Sequence, residues 1–178
     1  MSRSRILSLA PALAALTFAL TASAGLELKG KPKPSVNFTA IGPGGLKIDG
    51  SGDELSLKEE GDKLIFKASV KKLKTGIGLR DNHLRKYIEA DKWPDASFVV
   101  DKSKVKMPGK GKAKGKFRLH GVTKELDVDY SVDSKDGGYS VTGTTEINLD
   151  HFKIEQPCYL GVCVDKDVKV SVSFHVKK

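Results

Sequence analysis

The sequence has few of the residues that most catalytic and metal sites need. Its 178 residues include four histidines, two cysteines and one tryptophan. No two histidines stand at the H-x-H or H-x-x-x-H spacing of a metal site, and no G-x-S-x-G, Walker A or H-E-x-x-H motif occurs. We therefore predict no catalytic residue, no metal ion and no cofactor, and a protein that is not an enzyme.

Long apolar runs are also missing after residue 20. The one such run, Ile6–Leu20, is shorter than the roughly 20 apolar residues that a transmembrane helix needs. It follows Arg3 and Arg5 and ends in the small residues Thr-Ala-Ser-Ala at 21–24, which is the pattern of a secretory signal peptide. We expect residues 1–24 to be removed and residues 25–178 to form one exported domain, periplasmic or, where no outer membrane exists, secreted.

The charge of the chain is unbalanced. It carries 31 basic and 22 acidic residues, a net charge of +9. In an exported protein we expect no nucleic-acid partner, and the candidate partners of the basic excess are anionic lipid head groups, in transient contact with a membrane surface, or cell-wall polymers. A solvated basic surface without a partner explains the same excess.

Alternation of apolar and polar residues dominates the chain after residue 25. From Val168 to Val176, valine or phenylalanine alternates with lysine, serine or histidine. This period of two predicts strands with one face in water, which also places His120 and His175 at the surface. The expected strands are 35–41, 46–49, 54–58, 63–73, 96–102, 112–120, 125–132, 137–149 and 166–177. One helix is expected at 81–90, where Leu84 and Ile88 share a face.

These strands predict an all-β fold, a lipocalin-like antiparallel β-barrel of about eight strands with one short helix. Parallel sheets need crossover helices, for which the sequence has no room. Strands of 12 or 13 residues suit a tilted, closed sheet. A turn at Gly121-Val122 would place Arg118 opposite Glu125, Lys116 opposite Asp127 and Lys114 opposite Asp129, pairing opposite charges outside.

The two cysteines stand close together in Cys158-Tyr-Leu-Gly-Val-Cys163. In an oxidising compartment this predicts a small local disulfide. Free thiols, or a metal site completed by His151, are the alternatives, although the spacing fits zinc sites poorly.

Three stretches are similar to a known family. Residues 73–85 read Leu-Lys-Thr-Gly-Ile-Gly-Leu-Arg-Asp-Asn-His-Leu-Arg, followed by Lys-Trp-Pro-Asp-Ala-Ser-Phe at 92–98. Residues 115–124 read Gly-Lys-Phe-Arg-Leu-His-Gly-Val-Thr-Lys, and a third pattern runs from Gly143 to Val170. Together they resemble the YceI family, the polyisoprenoid-binding or YceI-like lipid-binding proteins. The chain departs from the family pattern in Gly-Pro-Gly-Gly at 42–45, in Leu149 and in the cysteine segment.

The resemblance implies a barrel with a long apolar cavity for an isoprenoid chain, such as a quinone tail or a polyprenyl lipid. The expected wall is Phe38, Phe66, Leu84, Ile88, Phe98, Phe117, Tyr130, Phe152 and Phe174, although an ordinary packed core would use the same residues. Arg80, His83 and Arg85 are candidates for holding a polar head group, with helix capping and a surface ion pair as the alternative. The expected function is that of an exported carrier. The alternative is an exported structural or stress-related barrel with a filled core.

Overall fold

A computed structural model describes residues 25–31 and 33–177, so the predicted signal peptide at residues 1–24 lies outside the described residues. Within them the chain forms twelve strands and one α-helix. Their bounds are β1 Glu27–Leu28, β2 Ser35–Ile41, β3 Lys47–Gly52, β4 Leu55–Glu60, β5 Lys63–Ser69, α1 Gly78–Tyr87, β6 Asp95–Asp101, β7 Gly109–Leu119, β8 Val122–Lys135, β9 Gly138–Asn148, β10 Cys158–Tyr159, β11 Val162–Cys163 and β12 Asp167–Lys177. Each strand predicted from the alternation is present, with its ends shifted by a few residues.

Ten of these strands form one antiparallel sheet. Its order is β3-β2-β12-β9-β8-β7-β6-β5-β4, with β1 added against β12. The edge strands β3 and β4 are consecutive along the chain, so the sheet curls round until its two ends lie near each other. In the described part of the chain they do not pair, and the fold is a curled half-barrel with one helix. β10 and β11 form a separate hairpin.

The concave face of the sheet holds the apolar residues. One group packs between the sheet and α1, and it includes Ile88, Leu119, Ile147 and Phe152. A second, smaller group around Leu64, Val100 and Ala113 packs at the other end of the half-barrel. The candidate site is a cavity walled by members of the first group and by Phe66 and Phe98, which pack against the second.

The helix begins three residues earlier than the alternation predicted, at Gly78 rather than Asp81. Asp81 already donates its backbone N–H to the Ile77 carbonyl at 2.9 Å, so it belongs to the first turn. The helix ends before Glu89, whose positive φ of 45° takes the chain out of helical geometry. Leu84 and Ile88 do point from it towards the sheet.

The predicted register of the β7–β8 hairpin is wrong by two residues. The turn is His120-Gly121, both with positive φ (51° and 74°), which is the backbone of a tight two-residue hairpin. Lys116 therefore lies opposite Glu125, Lys114 opposite Asp127 and Lys112 opposite Asp129. Opposite charges still face each other on the outside, which is why the charge pattern did not separate the two registers.

Two histidines expected at the surface are not there. His120 lies in the turn, half-buried, with Nδ1 3.0 Å from the Phe152 carbonyl oxygen. His175 is only 3% exposed, because β1 pairs with the end of β12 and the chain then covers the imidazole. Gly30 and Gly138 approach the His175 ring so closely that a Cβ at either would lie within 3 Å of it. Alternation could not reveal this cover, since it comes from residues distant in sequence.

Candidate functional site

An apolar cavity of about 660 Å³ lies between the concave sheet face, α1 and the β10–β11 hairpin. Strands from both halves of the sheet contribute to its wall. Phe38, Val170 and Val172 lie on one side, and Phe66 and Phe98 on the other. A volume of this size accommodates a molecule of several hundred daltons, and such cavities bind mainly by burying apolar surface.

Six of the nine predicted wall residues line this cavity: Phe38, Phe66, Leu84, Ile88, Phe98 and Phe117. The other three do not, and their expected place is corrected. Tyr130 belongs to the second apolar group, and its hydroxyl accepts the Lys106 backbone N–H at 2.9 Å. Phe152 is buried edge-on against Phe117, with ring centres 5.5 Å apart. Phe174 is buried against Phe66 at the same separation.

Besides Ser69 on β5 and Tyr159 in the hairpin, the polar side chains of the cavity wall come from α1 and from Thr75 just before it. Arg80, His83 and Tyr87 line the wall there. Nη2 of Arg80 donates to the Thr75 carbonyl at 3.0 Å, while Arg80 Nε is buried and has no hydrogen-bond partner within residues 25–31 and 33–177. The third head-group candidate, Arg85, is not in the wall and donates to Asn82 Oδ1 at 2.5 Å instead.

A carboxylate fixes the segment that leads into the helix. Asp81 Oδ1 accepts the Thr75 backbone N–H at 2.6 Å and the Thr75 hydroxyl at 2.5 Å. These two hydrogen bonds, aided by the charges of Arg85 and Arg80, lower the pKa of Asp81 below its ordinary value. Asp81 therefore holds the chain that carries Ile77 to the edge of the cavity.

The cysteine segment forms the other side of the opening. Cys158 and Cys163 are joined by a disulfide, as predicted, and the residues between them form the β10–β11 hairpin. The hairpin is held to the helix by Tyr87, whose hydroxyl donates to the Cys158 carbonyl at 3.0 Å and lies 3.2 Å from the Cys158 amide. The rings of His83 and Tyr159 pack 5.6 Å apart. Residues 25–31 and 33–177 hold no cluster of metal ligands, and His151 is not part of the site.

The aliphatic and hairpin part of the wall was not predicted from the sequence. Valines of β12 and residues of the hairpin, Tyr159, Leu160 and Val162, line the cavity, whereas the predicted wall was almost wholly aromatic. The sequence does contain a signal for the hairpin, because three large apolar residues between two cysteines are unusual in an exposed loop.

No helix in the described chain is both long and apolar enough to cross a bilayer.

Comparison with known proteins agrees with this architecture. The chain is 31% identical over 130 residues to the UPF0312 protein of Pseudomonas savastanoi pv. phaseolicola, covering 67% of each chain. It is 28% identical over 131 residues to a UPF0312 protein of Pseudomonas putida, covering 69% of this chain and 68% of the relative.

Solved structures share the fold at low sequence identity. A polyisoprenoid-binding domain from Saccharophagus degradans matches with a TM-score of 0.69 at 14% identity, covering 85% of this chain and 97% of that one. BcnA of Burkholderia cenocepacia matches with a TM-score of 0.65 at 16% identity, covering 81% and 95%. The family model of the YceI-like domain matches residues 33–176. The chain therefore belongs to the YceI-like domain family.

Proposed function

We propose that this protein is an exported carrier that holds the isoprenoid chain of a quinone or polyprenyl lipid in its apolar cavity. The observation that carries the proposal is the cavity itself, with a volume of about 660 Å³ and a wall formed mainly by aliphatic and aromatic side chains. An isoprenoid chain exposes several hundred Å² of apolar surface in water, and burial stabilises by roughly 25 cal/mol per Å². The name of the Saccharophagus degradans domain, which shares the fold, supports this ligand class.

The polar side of the cavity suits a head group with an acceptor oxygen. Arg80 Nε is a buried donor without a partner among the described residues, and such a group is costly unless it meets an acceptor. A quinone carbonyl or a phosphate oxygen would supply one. His83, on the same turn of α1 and also in the wall, is the second group that we place beside the head group. Arg85 is left out, because it lies outside the wall.

We assign binding rather than catalysis. The titratable side chains in the wall are Arg80, His83, Tyr87 and Tyr159, and no carboxylate or free thiol stands among them. The proposal of export to the periplasm rests on the signal-like residues 1–24 and is supported by the Cys158–Cys163 disulfide, which needs an oxidising compartment. Mass spectrometry of protein from a periplasmic extract tests this, because the expected N-terminus is Gly25.

Native mass spectrometry of the purified protein tests the carrier function directly. We expect a bound isoprenoid lipid, identified after organic extraction, or uptake of one added ubiquinone molecule per chain. A protein that is purified without bound lipid and takes up no added quinone would contradict the proposal and favour the structural barrel with no carried ligand.

A substitution inside the cavity provides the structural control. Val170 lies in the wall, in the first half of β12, so Val170→Trp should fill the space that the isoprenoid chain needs and lower quinone affinity at least tenfold. Thr142→Trp on β9 places the same side chain on the exposed outer face of the sheet and should leave affinity unchanged. Ala68→Leu, a smaller intrusion into the cavity, replaces Val170→Trp should circular dichroism show that the tryptophan variant is unfolded. Equal quinone binding by the cavity variant and the outer-face variant would show that the isoprenoid chain binds outside this cavity.

A further inference from the structure

The large apolar side chains that the described structure exposes are gathered at one place. Six of them are more than half exposed, and all six border the opening of the cavity: Leu46, Ile77, Leu79, Tyr159, Leu160 and Val162. We call these six residues the rim. Contiguous exposed apolar surface of this kind marks a contact surface, and here it is continuous with the cavity wall.

The β10–β11 hairpin holds one apolar side chain of the rim in solvent. Leu160, at the tip, is 86% exposed. The disulfide closes the hairpin at its base, and Tyr159 pairs with Val162 across it. Tyr87 fastens the same base to the helix. Leu160 is thus held at the opening of the cavity with most of its side chain in solvent.

The charge around the rim is basic. The three segments that carry it, residues 42–47, 71–88 and 153–166, contain nine basic and three acidic residues. Three of the lysines form ion pairs with acidic residues from outside these segments. Lys47, Lys74 and Lys86 form no ion pair with any residue that the structure describes. An apolar patch among unpaired lysines complements a bilayer with anionic head groups.

We propose that the rim is a membrane-docking surface, where Leu160 and its neighbours enter the head-group region of an anionic bilayer while the lysines contact lipid phosphates. This rests on the proposed carrier function, since it gives the isoprenoid chain a route between bilayer and cavity that avoids water. A second copy of this chain fits the rim less well, because two such faces would bring their unpaired lysines together.

Co-sedimentation with vesicles tests the surface. The protein is purified as the expressing bacterium processes it, and its N-terminus is determined so that all variants are compared in the same form. Vesicles of phosphatidylcholine with and without 30% phosphatidylglycerol are the probe. We expect binding to the anionic vesicles that weakens as salt rises, because exposed charges are screened.

Two variants with a matched control locate the contact. Leu160→Asn removes the apolar tip but keeps a residue that tolerates the positive φ of 49° at this position, and it should lower vesicle affinity about tenfold. Lys86→Gln should lower it roughly three- to fivefold. Lys135→Gln, an equal charge change in the last residue of β8 at the opposite end of the half-barrel, should have no effect.

The outcomes separate docking from carrying. Quinone uptake from solution is measured on the same samples, and Lys86→Gln, which lies outside the cavity wall, should retain it. No binding to anionic vesicles, or equal binding by all variants, would overturn the docking surface whether or not quinone is taken up, and would leave a protein partner as the occupant to seek. Vesicle binding that depends on Leu160, with no quinone uptake, would keep the docking surface and overturn the carrier.

Discussion

Gly115 shows how single residues shape this half-barrel. It lies on β7, buried on the concave face, where a Cβ would stand 2.5 Å from the Phe98 ring and 2.6 Å from the Val99 carbonyl oxygen. The ring could turn, but the carbonyl belongs to the sheet ladder and cannot move away. Glycine at this position therefore lets β6 and β7 carry Phe98 and Phe117 into the cavity wall.

We expect Gly115→Ala to lower the free energy of unfolding by about 2 kcal/mol, as overpacking does. Gly111→Ala on the same strand is the matched control, because its Cβ would meet only the Tyr130 side chain, at 3.3 Å or more. We expect a change there of less than about 1 kcal/mol. Urea unfolding of both variants measures the difference, and equal values would show that the close approach to Val99 carries no strain.

The Asp81–Thr75 contact makes a prediction about pH. Because its pKa is lowered in the folded protein, the Asp81 carboxylate stabilises the fold at any pH above the ordinary aspartate pKa of about 4. That contribution is lost as the pH falls through the lowered value. Asp81→Ala should therefore melt below the wild type at pH 7, by a gap that closes below about pH 4. A gap independent of pH would assign the effect to packing instead of charge.

Which residues line the cavity was only partly readable from the sequence. Phe38, Phe66 and Phe98 could be placed because their strands alternate clearly. Tyr130 and Phe174 lie on strands that alternate just as clearly, and both side chains also pack inward. They lie beyond the cavity, however, towards the end of the half-barrel that the second apolar group fills. Alternation gives the face of a residue and not its position along the cavity, which depends on stagger between strands.

At the scale of elements, the β10–β11 hairpin contrasts with the sheet. Its strands have two residues each, and apart from its own ladder it is held by the disulfide, by Tyr87 and by the packing of Tyr159 against His83. Closing so short a loop stabilises by about 2 kcal/mol. The loss of the bond should thus loosen the hairpin and leave the sheet intact.

Hydrogen exchange on the Cys158→Ser/Cys163→Ser double variant measures this. We expect faster amide exchange within residues 157–164 and in the helix near Tyr87, with exchange in β8, β9 and β12 unchanged. A Tyr87→Phe variant, which removes only the hydroxyl contact, should show a weaker form of the same pattern. Faster exchange throughout the sheet would mean that the disulfide stabilises the whole fold.

The elements themselves were largely predictable, and their pairing less so. Nine strands follow from period-two alternation, because one face of each is in water. β1 and the hairpin strands are too short to show a period, and β1 exists because it covers the end of β12. The predicted β7–β8 register was wrong because the two-residue turn begins one residue earlier, at His120, a non-glycine residue with positive φ.

For the molecule as a whole, the curl of the sheet determines what can be bound. The strands β3 and β4 at its two edges do not pair in the described chain, and the helix with its hairpin closes the concave face from one side. The polar groups lie at that side, while the interior beyond them is apolar. A ligand with one polar end and a long apolar tail matches this arrangement, with its head near Arg80 and its tail towards Phe66.

From this arrangement we predict that the isoprenoid tail of a bound quinone, and not its ring, supplies most of the binding affinity. Each buried methylene contributes about 0.8 kcal/mol, whereas the head group gains only a few hydrogen bonds in exchange for those with water. Affinity should therefore rise steeply along a series of ubiquinones with zero, two and four isoprene units. The affinity should level off once the isoprenoid chain exceeds the cavity volume of about 660 Å³, because further units remain in water.

Titration calorimetry or thermal shift across the ubiquinone series measures this dependence, and the affinity of the Val170→Trp variant should level off at a shorter isoprenoid chain. If the ubiquinone without a tail bound as well as the longer ones, the head-group contacts would dominate, and the apolar cavity would not be the main source of affinity.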